Sequence, residues 1–362
     1  MYRRSYGGVL TDNTALIAVD TIVYQFKIVA AIPASKLGIG IPFEGKFWKQ
    51  GFNTPADSAC YNANDAQCFP GVTCWCRDSY GNIMNQYYYH TSHQWRSDDK
   101  AAYLTGDATF PYISYENQRS LTEKLVYMKN QGLGGTIIWE LVKGYRSDQQ
   151  PGLKDCLLKS VKSAALNPSM IISSTIATNW NLVSVPNVVR NFASSSVWPS
   201  GSGITSGPIG YDAVYSFPNQ VQNGAAYWVK YSAGATKNDT GSKITSLCIP
   251  VNSGWNMIGS LSRSLATSKI TSSPASLVIS KYYAYSGGVY SATTSLDPGI
   301  GYWVKTSAAG TLGLDTASTA NNPPSSSNEQ PPCIPGTAPS APTSLVVSRV
   351  HACEGLYHPT LT

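Results

Sequence analysis

Two groups of residues have types and spacings that could do chemistry. Cys60, Cys68, Cys74 and Cys76 crowd one stretch, and His90 and His93 follow it. Cysteine and histidine together can hold a metal. However, Cys74-x-Cys76 and His90-x-x-His93 do not reproduce the usual zinc spacings, so no metal site is assigned. Disulfides stapling a loop-rich segment are the favoured reading, with the pairing left open. The second group closes a short apolar run, Thr136-Ile-Ile-Trp139-Glu140-Leu141. Alternation along a strand sends the side chains of Trp139 and Glu140 to opposite faces. On composition alone a core role for Trp139 is favoured over a ligand platform, and a salt bridge or cap for Glu140 over catalysis. Cys156, Cys248, Cys333 and Cys353 are isolated in sequence and read as buried or unpaired thiols.

The elements that must position Trp139 lie just before it. Ser120, followed by Glu123 and by Leu121, Leu125, Val126 and Met128, reads as a capping box opening an amphipathic helix. Gly132, Gly134 and Gly135 end that helix, and residues 136–141 are too short for another, which suits a buried parallel strand. With the extended stretch from Phe110, the unit reads strand, helix, strand. Upstream, Asp12 or Thr14 caps a predicted helix from Ala15 to Ala30, with Leu16, Val19, Ile22, Val23 and Phe26 on one face. Pro33 stops it, and Lys36 to Phe43 reads as a strand. Helix and strand alternating with short turns is the rhythm of a parallel barrel.

These blocks resemble glycoside hydrolase family 18, the chitinase family. Ile113-Ser-Tyr-Glu-Asn117, the helix, Gly132-Leu-Gly-Gly135 and Ile137-Ile-Trp-Glu-Leu141 look like its seventh helix and eighth strand, and Ile32 to Phe43, then Glu44-Gly45-Lys46, looks like its seventh strand with the helix before it. The resemblance covers roughly residues 9 to 166. It implies the C-terminal portion of a (β/α)8 barrel, with the stretch of about 46–109 as a small α+β insertion. Within that insertion Ile83 to Tyr89 reads as extended chain, and Gln94 to Tyr103 resembles the family's stretch before its closing strand. By the same resemblance Trp139 stacks a sugar at the barrel mouth, since the apolar C–H face of a sugar suits an aromatic ring. Glu44 stands where the family commonly has Tyr; it either hydrogen-bonds a sugar or is a plain loop carboxylate. Trp95, with Trp75, Tyr87, Tyr88 and Tyr89, either walls the cleft or packs the insertion.

The family's acid motif, Asp-x-x-Asp-x-Asp-x-Glu, does not occur in these 362 residues, and neither does Met-x-Tyr-Asp. No residue of this chain is therefore assigned as catalytic. The resemblance implies a substrate-assisted retaining hydrolase of β-1,4-linked N-acetylglucosamine polymers such as chitin, needing no metal or organic cofactor, with the acid supplied by chain upstream of Met1. The rival is a non-catalytic carbohydrate-binding or surface-attachment protein.

Beyond residue 170 the composition turns to Ser, Thr, Gly, Val and aromatic residues, and a repeat emerges. Asn179-Trp-Asn-Leu-Val183 recurs as Gly254-Trp-Asn-Met-Ile258, and Ala226-Tyr-Trp-Val-Lys230 as Gly301-Tyr-Trp-Val-Lys305. One common offset means duplication, giving two small all-β units of about 171–245 and 246–314 in a module spanning 171–314. Each holds an aromatic strand, 213–217 and 282–286. Trp180, Trp228, Trp255 and Trp303 read as core anchors in preference to sugar platforms. A Pro/Ser-rich linker follows at 315–342, then at 343–362 the start of a truncated further module, whose first-strand pattern resembles that of fibronectin type III or a similar sandwich. The whole is α/β plus all-β.

Charged residues are 13% and the net charge is +6, without basic runs, which argues against a nucleic-acid surface. Asp20, Gln25 and Lys27 interrupt the apolar run 15–32, so it is no membrane span. Low charge and many Tyr suit a secreted protein whose signal would lie outside this chain.

Overall fold

The computed structural model describes residues 15–48, 77–106 and 112–322, with positions 325, 327, 329, 331 and 332. The cysteines at 60, 68, 74, 76, 333 and 353, Trp75, Asp12, Thr14 and the stretch 343–362 lie outside the described residues.

Helix α1 (Leu16–Tyr24) continues as a π-helical turn, Gln25–Val29, close to the predicted span. Only Val23 is buried; Ile17, Tyr24, Phe26, Ile28 and Val29 are exposed. Strand β1 (Gly38–Pro42) pairs in parallel with β7 (Gly135–Trp139), in a register that runs from Gly38 opposite Gly135 to Pro42 opposite Trp139. Helix α3 (Gln118–Asn130) covers one face of this pair with Leu121, Leu125, Val126 and Met128 against Ile39 and Ile41. The opposite face is open, and Ile137 there is 67% exposed. The connection back to β7 is tight: the Gly134 amide donates to the carbonyls of Ala34 and Leu37, and a Cβ at 134 would meet the Ser35 carbonyl oxygen at 2.0 Å.

The start of α3 differs from expectation. Asn117, not Ser120, is the N-cap; its side chain accepts from the Ser120 amide at 2.9 Å, and the Ser120 hydroxyl accepts from the Asn117 amide at 2.9 Å. Ser120 is thus the third residue of the box and Glu123 lies outside it. The choice fits the burial pattern, because Glu116 and Ser120 are both buried and hydrogen-bonded to each other.

The segment between β1 and α3 forms a five-stranded antiparallel sheet in the order β3-β2-β6-β5-β4: β2 (Glu44–Trp48), β3 (Arg77–Ser79), β4 (His93–Arg96), β5 (Ala101–Leu104) and β6 (Tyr112–Tyr115). The sheet reaches both sides of the 46–109 stretch. Two expectations are corrected here. The extended chain before α3 is β6, which pairs with β2 and β5 and not with β7, so strand, helix and strand do not share one sheet. Residues 83–86 are helical, in α2 (Tyr80–Gln86), because Ser79 caps the Asn82 amide and Tyr80, Ile83 and Met84 make one buried face. The Tyr run at 87–89 hides this 3.6-residue period behind a strand-like composition.

Helix α4 (Cys156–Val161) and a π-helical turn, Lys162–Leu166, end this part. Sheets of three and four strands follow twice. The first set is β10-β14-β8, from β8 (Ser169–Ile176), β10 (Asn187–Val188) and β14 (Ala235–Lys243), with β12-β11-β13-β9, from β9 (Asn179–Ser184), β11 (Ile204–Asp212), β12 (Val214–Ser216) and β13 (Ala226–Tyr231). The second is β15-β23-β18, from β15 (Ser246–Val251), β18 (Thr271–Ser273) and β23 (Gly310–Asp315), with β16-β22-β19-β20, from β16 (Gly254–Ile258), β19 (Tyr282–Ser286), β20 (Val289–Thr293) and β22 (Tyr302–Thr306). A short pair, β17 (Leu265–Ala266) and β21 (Ser295–Leu296), completes it. Pairing gives the correspondence of the strands: β19 occupies the place of β11, and β20 that of β12.

The two sets meet reciprocally. Val183 bridges Ile300 while Ala225 bridges Ile258. The Ser184 amide donates to the Gly299 carbonyl at 2.9 Å, and the Gly259 amide to the Gly224 carbonyl at 2.8 Å. Each contact is the other's counterpart 75 positions away with the units exchanged, which is the pattern of an isologous two-fold interface inside one chain. Asn181 and Asn256 each close their own turn by bonding the backbone four residues before, at 177 and 252.

The β part is fastened to the helices. Cys156 and Cys248 form a disulfide, which corrects their reading as unpaired. Gln118 bonds both the carbonyl and, at 3.2 Å, the amide of Cys248. The chain after Asp315 is not a free spacer at its start, because Asn322 donates through its amide to Ser268 at 2.7 Å and through its side chain to Ile270 at 2.6 Å. Among the described residues no helix is long and apolar enough to cross a membrane.

Candidate functional site

Trp139 ends β7 with 53% of its surface exposed, at the C-terminal edge of the parallel pair. Its carbonyl accepts from the Phe43 amide at 2.8 Å, and the Trp139–Glu140 peptide is cis. The chain then turns through a 3-10 segment, Leu141–Gly144. That turn is pressed onto Phe43: a Cβ at Gly144 would lie 2.3 Å from its ring. Leu141, Val142 and Tyr145, which follow in the chain, are exposed as well, so this stretch presents apolar and aromatic side chains to solvent.

Glu44 lies beneath it. The carboxylate is 1% exposed, and both oxygens are held, one by Arg77 at 3.2 Å and the other by Lys143 at 2.7 Å. Lys143 also reaches Glu140 at 3.4 Å, in line with the salt bridge expected for Glu140. Burial works against the Lys143 charge, but the hydrogen bond and charge of Glu44 outweigh it and hold the ammonium above its usual range. Of the two readings for Glu44, this geometry favours the one away from sugar: a buried anchor joining the first insertion strand to the loop that carries Trp139. Replacing it by Gln, which keeps the shape and removes the charge, is expected to lower stability by about 2 kcal/mol, the scale of charged hydrogen bonds. Urea unfolding of the variant checks this, and an unchanged midpoint would contradict it.

The other sequence-derived residues do not join Trp139. Trp95 sits on β4, the edge strand farthest from β3, with the Arg119 guanidinium 4.0 Å over its ring, and it lines a crevice facing the β units that Trp139 does not line. Tyr88 stacks on His93 at 4.9 Å, Tyr87 meets Phe47 edge-on at 5.4 Å, and the Tyr89 hydroxyl bonds Thr311. These rings pack the insertion. His93 pairs with Asp212 at 3.5 Å, and that hydrogen bond, with a further one from Asn252, holds the Asp212 carboxyl below its ordinary range despite partial burial. Among the described residues no three His, Cys, Asp or Glu side chains gather as a metal would require. Trp228 and Trp303 are fully buried, and Trp180 and Trp255 pack edge-on against them at 6.4 and 6.2 Å.

One buried pair went unread in the sequence. Glu116, before α3, and Lys124, within it, form an ion pair that is almost wholly out of solvent. Eight residues apart across a helix start, they fit no periodic pairing rule.

Residues 4–144 match the family model described as Glycosyl hydrolases family 18. Chitinase A1 of Niallia circulans is 31% identical over 148 residues, 38% of this chain and 19% of that protein, and Chitinase B of Serratia marcescens is 26% identical over 149 residues, 36% of this chain and 30% of that one. The chain therefore spans less than a third of either relative. Among solved structures, a family 18 chitinase of Cycas revoluta aligns at 22% identity and TM-score 0.30 over 37% of each chain, and chitinase ChiW of a Paenibacillus species at 15% identity and TM-score 0.37 over 88% of this chain and 30% of that one. By the family model and these relatives, residues 4–144 of this chain are similar to the chitinases of glycosyl hydrolases family 18.

Proposed function

We propose that residues 15–166 form the closing part of a (β/α)8 barrel in an extracellular chitinase-type hydrolase, and that Trp139 is its sugar platform. The whole protein would cleave β-1,4-linked N-acetylglucosamine polymers by the substrate-assisted retaining route, in which the substrate's own N-acetyl group attacks the anomeric carbon. The observation that carries this reading is the parallel register of β1 and β7, which ends on an exposed Trp139 at the C-terminal edge where barrel active sites sit. The family match over residues 4–144 and the similarity to two curated chitinases support it. Residues 169–315 are, on this reading, a duplicated β unit docked as an accessory module.

These 362 residues hold no Asp-x-x-Asp-x-Asp-x-Glu run, so the chain as given binds the glycan without cutting it. A fluorogenic chitobioside separates the two properties. The chain is expected to release no fluorophore above the buffer rate while being retained on chitin beads. Turnover would show that an acid is present after all, and failure to be retained would count against the platform.

A further inference from the structure

A second site stands apart from the Trp139 platform, in the crevice between the insertion sheet, α3 and the two β units. This cavity, of about 350 Å³, falls within the usual size range of small-ligand pockets. Four of its wall residues carry buried polar atoms with no hydrogen-bond partner: the indole Nε1 of Trp95, the guanidinium Nε of Arg119, Oε1 of Glu123 and the hydroxyl Oγ of Ser163. For Glu123 the Lys100 ammonium stands at 3.9 Å, too far to hydrogen-bond. Burial pushes the Arg119 guanidinium down to about 10 and the Glu123 carboxyl up, although Lys100 and Arg119 pull the latter back; Arg119 donates through its Nη2 to the Gln220 carbonyl at 3.3 Å, which leaves its Nε without a partner. Leaving such atoms unpartnered in a folded interior is costly, most of all for charged ones.

The mix of orphans selects the ligand. Two donors, one acceptor and a hydroxyl that can do either belong to the wall of one cavity. An anion placed there would meet Glu123 and, farther along the wall, Asp212; a cation would meet Arg119 and Lys100. A neutral hydroxyl satisfies both sides at once, accepting from an N–H and donating to the carboxylate. The half-buried ring of Tyr211 on the same wall suits the apolar face of a pyranose. We propose that this crevice binds a neutral saccharide of one or two rings, at a position where the hydrolase-like part and the β units both contact it. The choice of an N-acetylglucosamine sugar as probe rests on the function proposed above; the crevice chemistry itself does not.

The test is isothermal titration of the 362-residue chain with N,N′-diacetylchitobiose. In the Trp139→Ala chain, saturable binding is expected to persist. Adding Glu123→Gln should weaken that residual binding at least tenfold. Trp95→Phe, which keeps the ring under Arg119 and deletes only the indole N–H, should weaken it severalfold with the unfolding midpoint held. Loss of all binding in Trp139→Ala overturns the crevice and leaves the platform standing. Undiminished binding in Trp139→Ala, lowered by the crevice variants alone, overturns the platform and leaves the crevice standing. Residual binding indifferent to both crevice variants, or a parent chain that binds no chitobiose, overturns the crevice, whose orphan atoms are then served by water.

Discussion

Replacing Trp228 by Ala is expected to cost about 4 kcal/mol of folding stability, and replacing Trp303 nearly the same. Both indoles are 0% exposed, and truncating a buried Trp loses its transfer energy and leaves a cavity. The near-equality is the sharper part. Trp228 meets Tyr285 at 4.9 Å and 84°, and Trp303 meets Tyr211 at 4.9 Å and 67°. Each Trp therefore anchors its own four-stranded sheet and plugs the other unit's aromatic strand. Because the two indoles share one core cluster, the double variant should depart from the sum of the single losses. Urea unfolding of the three variants measures this. Tolerance of one substitution beside a severe loss from the other would mean that the docking is not reciprocal.

The second large effect belongs to the Cys156–Cys248 bond. It closes a separation of 92 residues and joins α4 to β15. Restricting a loop of that length in the unfolded chain is worth about 4.6 kcal/mol on the chain-entropy account. Cys156→Ala with Cys248→Ala should lose stability on that scale, and reductant should reproduce the loss in the parent chain but add nothing in the variant. A parent chain whose unfolding ignores reductant would contradict the pairing. Gln118, gripping both backbone groups of Cys248, would keep α3 and β15 aligned in the variant, so the fold is expected to survive with lowered stability.

What the sequence disclosed was whatever rests on local pattern. The glycines after α3 and the short β-branched run ending in Trp139 are signals within a few residues; the helix end and β7 lie close to where those patterns put them, although β7 is half exposed where a buried strand was expected, because one face of the parallel pair is open. What it hid was long-range. Glu44 looked like a loop carboxylate because Arg77 and Lys143, its partners, are 33 and 99 residues away. Cys156 and Cys248 looked isolated for the same reason. The helix at Tyr80–Gln86 was masked by aromatic residues of strand-like propensity, and its cap, Ser79, shows only once β3 is placed. The cap of α3 slipped three residues because Ser120 suits either end of a capping box, and the burial of Glu116 against Lys124 settles which. That each unit holds an aromatic strand was legible, but not which strands correspond: ladder partners match β19 to β11.

The platform reading stands or falls on one ring. Titrating chitotetraose into the 362-residue chain and into its Trp139→Ala variant measures what that ring contributes. A buried aromatic contact of the kind that dominates an interface is worth about 2 kcal/mol, so the account predicts a Kd weakened about thirty-fold with the unfolding midpoint unchanged, since the side chain is half exposed. Equal affinity in the two chains would contradict it.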